Sequence, residues 1–182
     1  LKEEQKKVGV IAMSAGNHAQ AVAWWAKKER VNATIVMPEH APLSKVMKTK
    51  SLGADVILKG RTLNESQSYV SELVNDKKLT LIHPYDDHNV VIGQGTLGLE
   101  FMEDVKDLDL LVIPTGGGGL ISGISIVAKN LNPNIKIYGV QTEKFPSMYN
   151  ILHKKDLEIL GDTLADGIAV KRPGEITSEI IK

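Results

Sequence analysis

Ile113-Pro114-Thr115-Gly116-Gly117-Gly118-Gly119-Leu120 sets four consecutive glycines between two apolar segments. Upstream, Leu110-Leu111-Val112-Ile113 is a short, branched apolar run that predicts a buried strand. Downstream, Leu120, Ile121, Ile124, Val127, Ala128 and Leu131 recur at helical spacing. Glycines where a strand hands over to a helix let the backbone approach a ligand closely. Free amides at the helix start, aided by the helix dipole, then face an anion, and a phosphate suits them. The plain alternative is a flexible connector, but linker glycines sit among serines and polar residues rather than between apolar elements.

The loop is not that of a nucleoside triphosphatase, which needs Lys and then Ser or Thr after its last glycine; Leu120-Ile121 stand there. Nor does it match the dinucleotide fingerprint, since the only later glycine of the segment is Gly123.

The 182 residues suffice for one large or two small domains with a hydrophobic core. Lys+Arg and Asp+Glu number 22 each, so no net field points to nucleic acid or an anionic membrane. The absence of cysteine excludes disulfides and thiolate chemistry and is compatible with a cytoplasmic setting. No apolar run approaches a membrane span. Leu1 to Lys7 is a charged, helix-like segment rather than a signal peptide, and without an initiator methionine the chain reads as the middle of a longer one.

Strand and helix patterns alternate along the chain. Strands are predicted at Val8–Met13, Thr34–Pro38, Asp55–Leu58, Thr80–His83, Leu110–Ile113 and Lys136–Gln141. Helices are predicted at about His18–Glu29, Leu43–Leu52 with Gly53 as C-cap, Thr62–Asp76 with Asn64 or Thr62 as cap, Val90–Val105, Ile121–Leu131 and Ser147–Lys154. Gly93, Gly95 and Gly98 imply close packing or a backbone near a ligand. The alternation predicts an α/β protein with two open, mainly parallel sheets flanked by helices, meeting near Pro84 to His88.

Ser14-Ala15-Gly16-Asn17-His18 repeats the plan of the glycine loop at an earlier strand end, the edge where open α/β sheets bind ligands. Two readings stand side by side here: a carboxylate-binding loop, or Ser or Asn simply capping a helix.

Five segments in order, Ser14-Ala15-Gly16-Asn17-His18-Ala19-Gln20, Ile35-Val36-Met37-Pro38, Gly93-Gln94-Gly95-Thr96, Gly116 to Leu120 and Asp166-Gly167-Ile168-Ala169-Val170-Lys171, closely resemble the threonine dehydratase family, pyridoxal-phosphate enzymes of the tryptophan-synthase-β fold type. The resemblance runs from about Glu3 to Lys182. It implies the end of a large-domain helix at 1–8, a small α/β domain at 9–86 and part of a large α/β domain at 87–182, incomplete at both ends.

It also implies roles. Gly116, Gly117, Gly118, Gly119 and Leu120 would hold the phosphate of pyridoxal 5′-phosphate, Asn17 its 3′-oxygen, and Gly167 would lie near its face. Ser14, Ala15, Gly16, Asn17 and His18 would receive the substrate carboxylate. The implied reaction is dehydration and deamination of L-threonine, and of L-serine, to 2-oxobutanoate or pyruvate and ammonia. The partners it implies are a small amino acid and further copies of the chain in a homo-oligomer, with neither nucleic acid nor membrane. The family's Schiff-base lysine precedes the Ser14–His18 loop; only Lys2, Lys6 and Lys7 do so here, none after Ser-Phe, so no catalytic residue is assigned.

Serine racemase is the alternative of the same fold type. Such enzymes carry a second Ser where Ala15 stands, and acidic cation ligands where Gln141 and Ser147 stand, so no metal is expected. A non-catalytic phosphate-ligand binding fragment is the alternative from another class. At least one of Trp24 and Trp25 is expected in the core. His83 and His88 are not spaced as zinc ligands, His40 and His153 are expected at the surface, and Met13 and Met37 as core filler.

Overall fold

The computed structural model describes residues 1–61 and 63–182, the side chains of 63 and 64 aside, so the cap expected at Thr62 or Asn64 lies outside the described residues. The chain forms two compact units, Leu1–Pro84 and Tyr85–Lys182.

The first unit runs α1 (Glu3–Val8), β1 (Val10–Met13), α2 (Asn17–Lys28), β2 (Ala33–Met37), α3 (Leu43–Ser51), β3 (Asp55–Leu58), α4 (Leu63–Lys77) and β4 (Thr80–Leu81). Its sheet has the order β3-β2-β1-β4, and every pairing is parallel. The central strands are apolar except for Thr34 because they are covered on both faces. Val10, Ala12, Ala33, Ile35 and Met37 pack with the alanines of α2. Ile11 and Val36 turn the other way, onto Val70 and Leu73 of α4. Gly53 follows α3 with φ +98° and donates its amide to Lys50 O, the expected C-terminal stop.

Trp24 and Trp25 depart from expectation. Neither is in the core: they are 48% and 52% exposed. The buried line of α2 is Ala19, Ala23 and Ala26, small residues that let the helix lie close on the sheet and turn both indoles outward. The indoles meet edge to face with centroids 4.8 Å apart, and Lys28 Nζ stands 4.4 Å from the Trp25 ring centroid.

The second unit runs α5 (His88–Asp104), β5 (Leu110–Pro114), α6 (Gly119–Leu131), β6 (Lys136–Val140), α7 (Ser147–His153), a 3-10 turn (Asp166–Ile168) and α8 (Glu175–Ile181). β5 and β6 pair in parallel, Leu110 opposite Lys136 and Pro114 opposite Val140. Ile113, Ile121 and Ile124 centre the core under this sheet. Gly95 and Gly98 of α5 serve packing, whereas a Cβ on Gly93 would meet nothing within 4 Å: a Cβ on Gly95 would stand 3.2 Å from Gly123 O, one on Gly98 3.1 Å from Ile124 Cα, and one on Gly123 2.3 Å from Val91 O. α5 and α6 therefore touch backbone to backbone. The last helix, α8, carries no sequence signal of its own, since Gly174 at its N-cap offers no side chain.

Candidate functional site

In the first unit the Ser14–His18 loop leaves the C-terminal end of β1 and opens α2. The helix starts at Asn17, with Gly16 as N-cap and no side-chain cap. Ser14 Oγ accepts from Gly16 N at 3.1 Å, and Ser14 N donates to Val36 O at 3.2 Å, so the serine shapes the turn instead of capping the helix. The first bond into the helix is Gln20 N to Gly16 O, so among the described residues the amides of Asn17, His18 and Ala19 donate to no protein acceptor. Ala15 is half-buried and packs against the apolar cluster below, while Asn17 is exposed.

His18 has a structural task that its place in the motif does not reveal. Its Nε2 lies 2.9 Å from Ile82 O, just past β4. A carbonyl only accepts, so Nε2 carries the proton. Burial holds the imidazole below its ordinary pKa; the Ile82 bond opposes that, and the neighbouring His83 adds to it.

In the second unit the glycine loop joins β5 to α6. Gly116 to Gly119 are all buried. Gly118, the N-cap, has φ +100° and ψ −8°, a conformation that a side chain resists. Its carbonyl accepts from Ser122 N at 2.9 Å, and the Gly117 carbonyl accepts from Gly174 N at 3.1 Å and Thr177 Oγ1 at 2.6 Å. Among the described residues, the amides from Gly116 to Ile121 donate to no protein acceptor. Buried backbone donors are nearly always satisfied, so a cluster of open ones at an uncapped helix start fits an anion. The first turn of α6 carries no acidic residue that would repel it. These residues fit the phosphate of pyridoxal phosphate.

The absent side chains of the loop are explained by the protein itself. A Cβ on Gly117 would stand 2.3 Å from the Tyr85 ring, and one on Gly118 would stand 2.7 Å from Thr177 Oγ1. On Gly116 it would meet Ile168 Cα at 3.1 Å, with Gly167 O at 3.6 Å. Gly167 thus lies beside the loop, in an exposed turn. Tyr85 donates its hydroxyl to Arg172 O at 2.9 Å; burial and Asp86 push its pKa up, so it stays protonated.

Sequence reading missed Tyr85, Asp86 and Thr177. Asp86 accepts from Glu175 N (3.0 Å), Ile176 N (2.9 Å) and Thr177 N (3.3 Å), capping α8 from a sequence separation of 89 to 91. The signal that could have found it is the run Pro84-Tyr85-Asp86-Asp87, which breaks the strand-helix alternation with two cap-forming residues. Gln141 and Ser147 are both engaged within the protein: Gln141 Oε1 accepts from Tyr149 N at 2.9 Å, and Ser147 Oγ donates to Val170 O at 2.6 Å.

Known proteins share both the sequence and the fold. The chain is 50% identical to the L-threonine ammonia-lyase of Thermotoga maritima, matching all of this chain and 46% of that enzyme. It is also 50% identical to the L-threonine dehydratase catabolic TdcB of Staphylococcus aureus strain USA300, covering 53% of it. The chain therefore spans about half the length of the curated relatives it matches. The processed form of threonine deaminase isoform 2 from Solanum lycopersicum superposes with a TM-score of 0.92 at 42% identity, over 99% of this chain and 50% of that one. The serine racemase of Dictyostelium discoideum follows with a TM-score of 0.89 at 39% identity, over 100% of this chain and 59% of that one. The family profile described as pyridoxal-phosphate dependent enzyme matches residues 1–182. The chain therefore belongs to this family.

Proposed function

We propose that the protein to which this chain belongs is a threonine ammonia-lyase, converting L-threonine, and L-serine, to 2-oxobutanoate or pyruvate and ammonia. The observation that carries the reading is the uncapped, buried start of α6 at Gly116–Leu120, taken with the threonine-directed relatives at 50% identity.

The chemistry the cofactor supplies when bound is an electron sink for charge left at the substrate's α-carbon. In the second unit, the amides of Gly116, Gly117, Gly118, Gly119 and Leu120 hold the phosphate, and Gly167 borders it. In the first unit, Asn17 is assigned the cofactor's 3′-oxygen. The open amides of Asn17, His18 and Ala19, with Ser14, Ala15 and Gly16 shaping the turn, receive the substrate carboxylate. His18 cannot give up its Nε2 proton there without breaking its bond to Ile82 O, so it orients the loop and is not the base.

Ala15 separates this reading from serine racemase, the fold neighbour, because a methyl group has no proton to return to the α-carbon. We place the reaction in a cytoplasmic homo-oligomer. The name of the Staphylococcus relative speaks for a catabolic role rather than isoleucine biosynthesis.

The test is to incubate the complete, cofactor-loaded protein with L-threonine or L-serine, measure 2-oxo acid and ammonia, and resolve the remaining substrate on a chiral column. The reading requires 2-oxo acid with unchanged L-configuration. Substantial D-isomer would transfer the assignment to the racemase, and no turnover with cofactor bound would leave a phosphate-ligand binding protein.

A further inference from the structure

Three helices of the second unit begin within reach of the same short segment, yet only one keeps its start open. Asp87 Oδ1 accepts from Asn89 N (2.7 Å) and Val90 N (3.2 Å), capping α5. Asp86 caps α8 through three amides. Nothing caps α6. α8 in turn acts on the glycine loop: Thr177, 0% exposed, donates its hydroxyl to Gly117 O at 2.6 Å, beside the Gly174 amide at 3.1 Å.

That bond decides where a donor points. In a trans peptide the carbonyl of one residue and the amide N–H of the next lie in one plane and point in opposite directions. Drawing the Gly117 carbonyl into the start of α8 turns the Gly118 N–H the other way. The next plane is set likewise, because Gly118 O accepts from Ser122 N at 2.9 Å and so turns the Gly119 N–H away from the helix. Glycines alone would let these planes rotate.

We infer that Thr177 is a positioning residue for the cofactor phosphate: its hydroxyl, on a helix held by Asp86, locks the Gly117–Gly118 peptide so that the Gly118 amide is presented to the anion before it arrives. This rests on the phosphate reading of the glycine loop. Thr177 touches neither substrate nor cofactor in this role; it lowers the ordering cost of binding.

The experiment compares pyridoxal phosphate with pyridoxal, which lacks the phosphate, in the complete protein carrying Thr177→Val, Thr177→Ser or no change. Affinities come from spectroscopic titration, and the 31P shift of bound cofactor is recorded alongside. The valine variant keeps the volume and loses the donor. It should weaken pyridoxal phosphate about tenfold, roughly one oriented hydrogen bond, while pyridoxal affinity holds. The serine variant should recover to within about threefold of wild type, with the wild-type 31P shift. Equal weakening for both ligands, or a valine variant with wild-type preference for the phosphate, overturns the role of Thr177. If the wild-type protein itself shows no preference for the phosphorylated ligand, the phosphate reading of the loop falls instead. Should the valine variant not fold, Thr177→Ala carries the same two-ligand comparison.

Discussion

Asp86 and Asp87 are adjacent in sequence and cap different helices, Asp86 the start of α8 and Asp87 the start of α5. The division follows from backbone direction. Asp87 has extended backbone at the N-cap position of its own helix, so its carboxylate folds forward onto Asn89 and Val90. Asp86, one residue earlier, faces outward from that turn and finds the amides of Glu175, Ile176 and Thr177. Two carboxylates thus satisfy two helix starts, and α6 is left open.

Replacing either aspartate with alanine should cost stability, about 1 kcal/mol for Asp87 and up to about 2 kcal/mol for Asp86, whose three acceptor contacts are all tertiary. Only Asp86→Ala should also weaken pyridoxal phosphate, because only α8 holds the Gly117 carbonyl. Denaturant midpoints and cofactor titration of the complete protein check both halves. Equal cofactor affinity in the two variants would count against the separation of roles.

Gly117→Ala should be far more damaging than Gly116→Ala. The added methyl at Gly117 would enter the Tyr85 ring at 2.3 Å, whereas at Gly116 the nearest atoms, Val170 Cγ2 at 3.0 Å and the backbone Ile168 Cα at 3.1 Å, need give by only a few tenths of an ångström. A loss of about 3 kcal/mol at Gly117, against about 1 kcal/mol at Gly116, is expected. Adding Tyr85→Ala to Gly117→Ala should recover part of the loss. Failure of that rescue, with Tyr85→Ala itself folded, would mean that the ring is not what excludes the methyl.

His18 makes stability depend on pH. Its folded-state pKa lies below the ordinary 6.5, so between the two values the unfolded chain binds more protons than the folded one. Stability therefore rises with pH through this window, is fully present above about 6.5 and declines as pH falls toward the folded value. His18→Gln, which keeps an amide donor for Ile82 O, should flatten that slope. Denaturant midpoints of the complete protein between pH 5 and pH 8 measure it, and an unchanged slope would show that His18 is not its source.

Trp24→Gln and Trp25→Gln should each change stability by less than about 1 kcal/mol, since both rings are about half exposed and the buried line of α2 is alanine. The core placement expected from sequence would demand losses of about 3 kcal/mol or more. Thermal midpoints of the two variants decide between these values.

The sequence by itself determined what depends on neighbours close along the chain. Apolar runs and helical spacing located the strands and helices from β1 to α7, and four glycines between Thr115 and Leu120 marked the tight turn from β5 into α6. The order of the five motifs named the cofactor family, which the matches then showed. Hidden from the sequence were choices made between distant segments. α8 has no cap residue of its own, because its cap is Asp86 from the other end of the unit. In α2 both an alanine line and a tryptophan pair could have faced the sheet. Close packing on β1 and β2 selected the alanines, because a small side chain lets the backbone approach where an indole would hold it off. Likewise, the need for glycine at 117 shows in the sequence, while its cause, the Tyr85 ring, exists only once the chain has brought the two together.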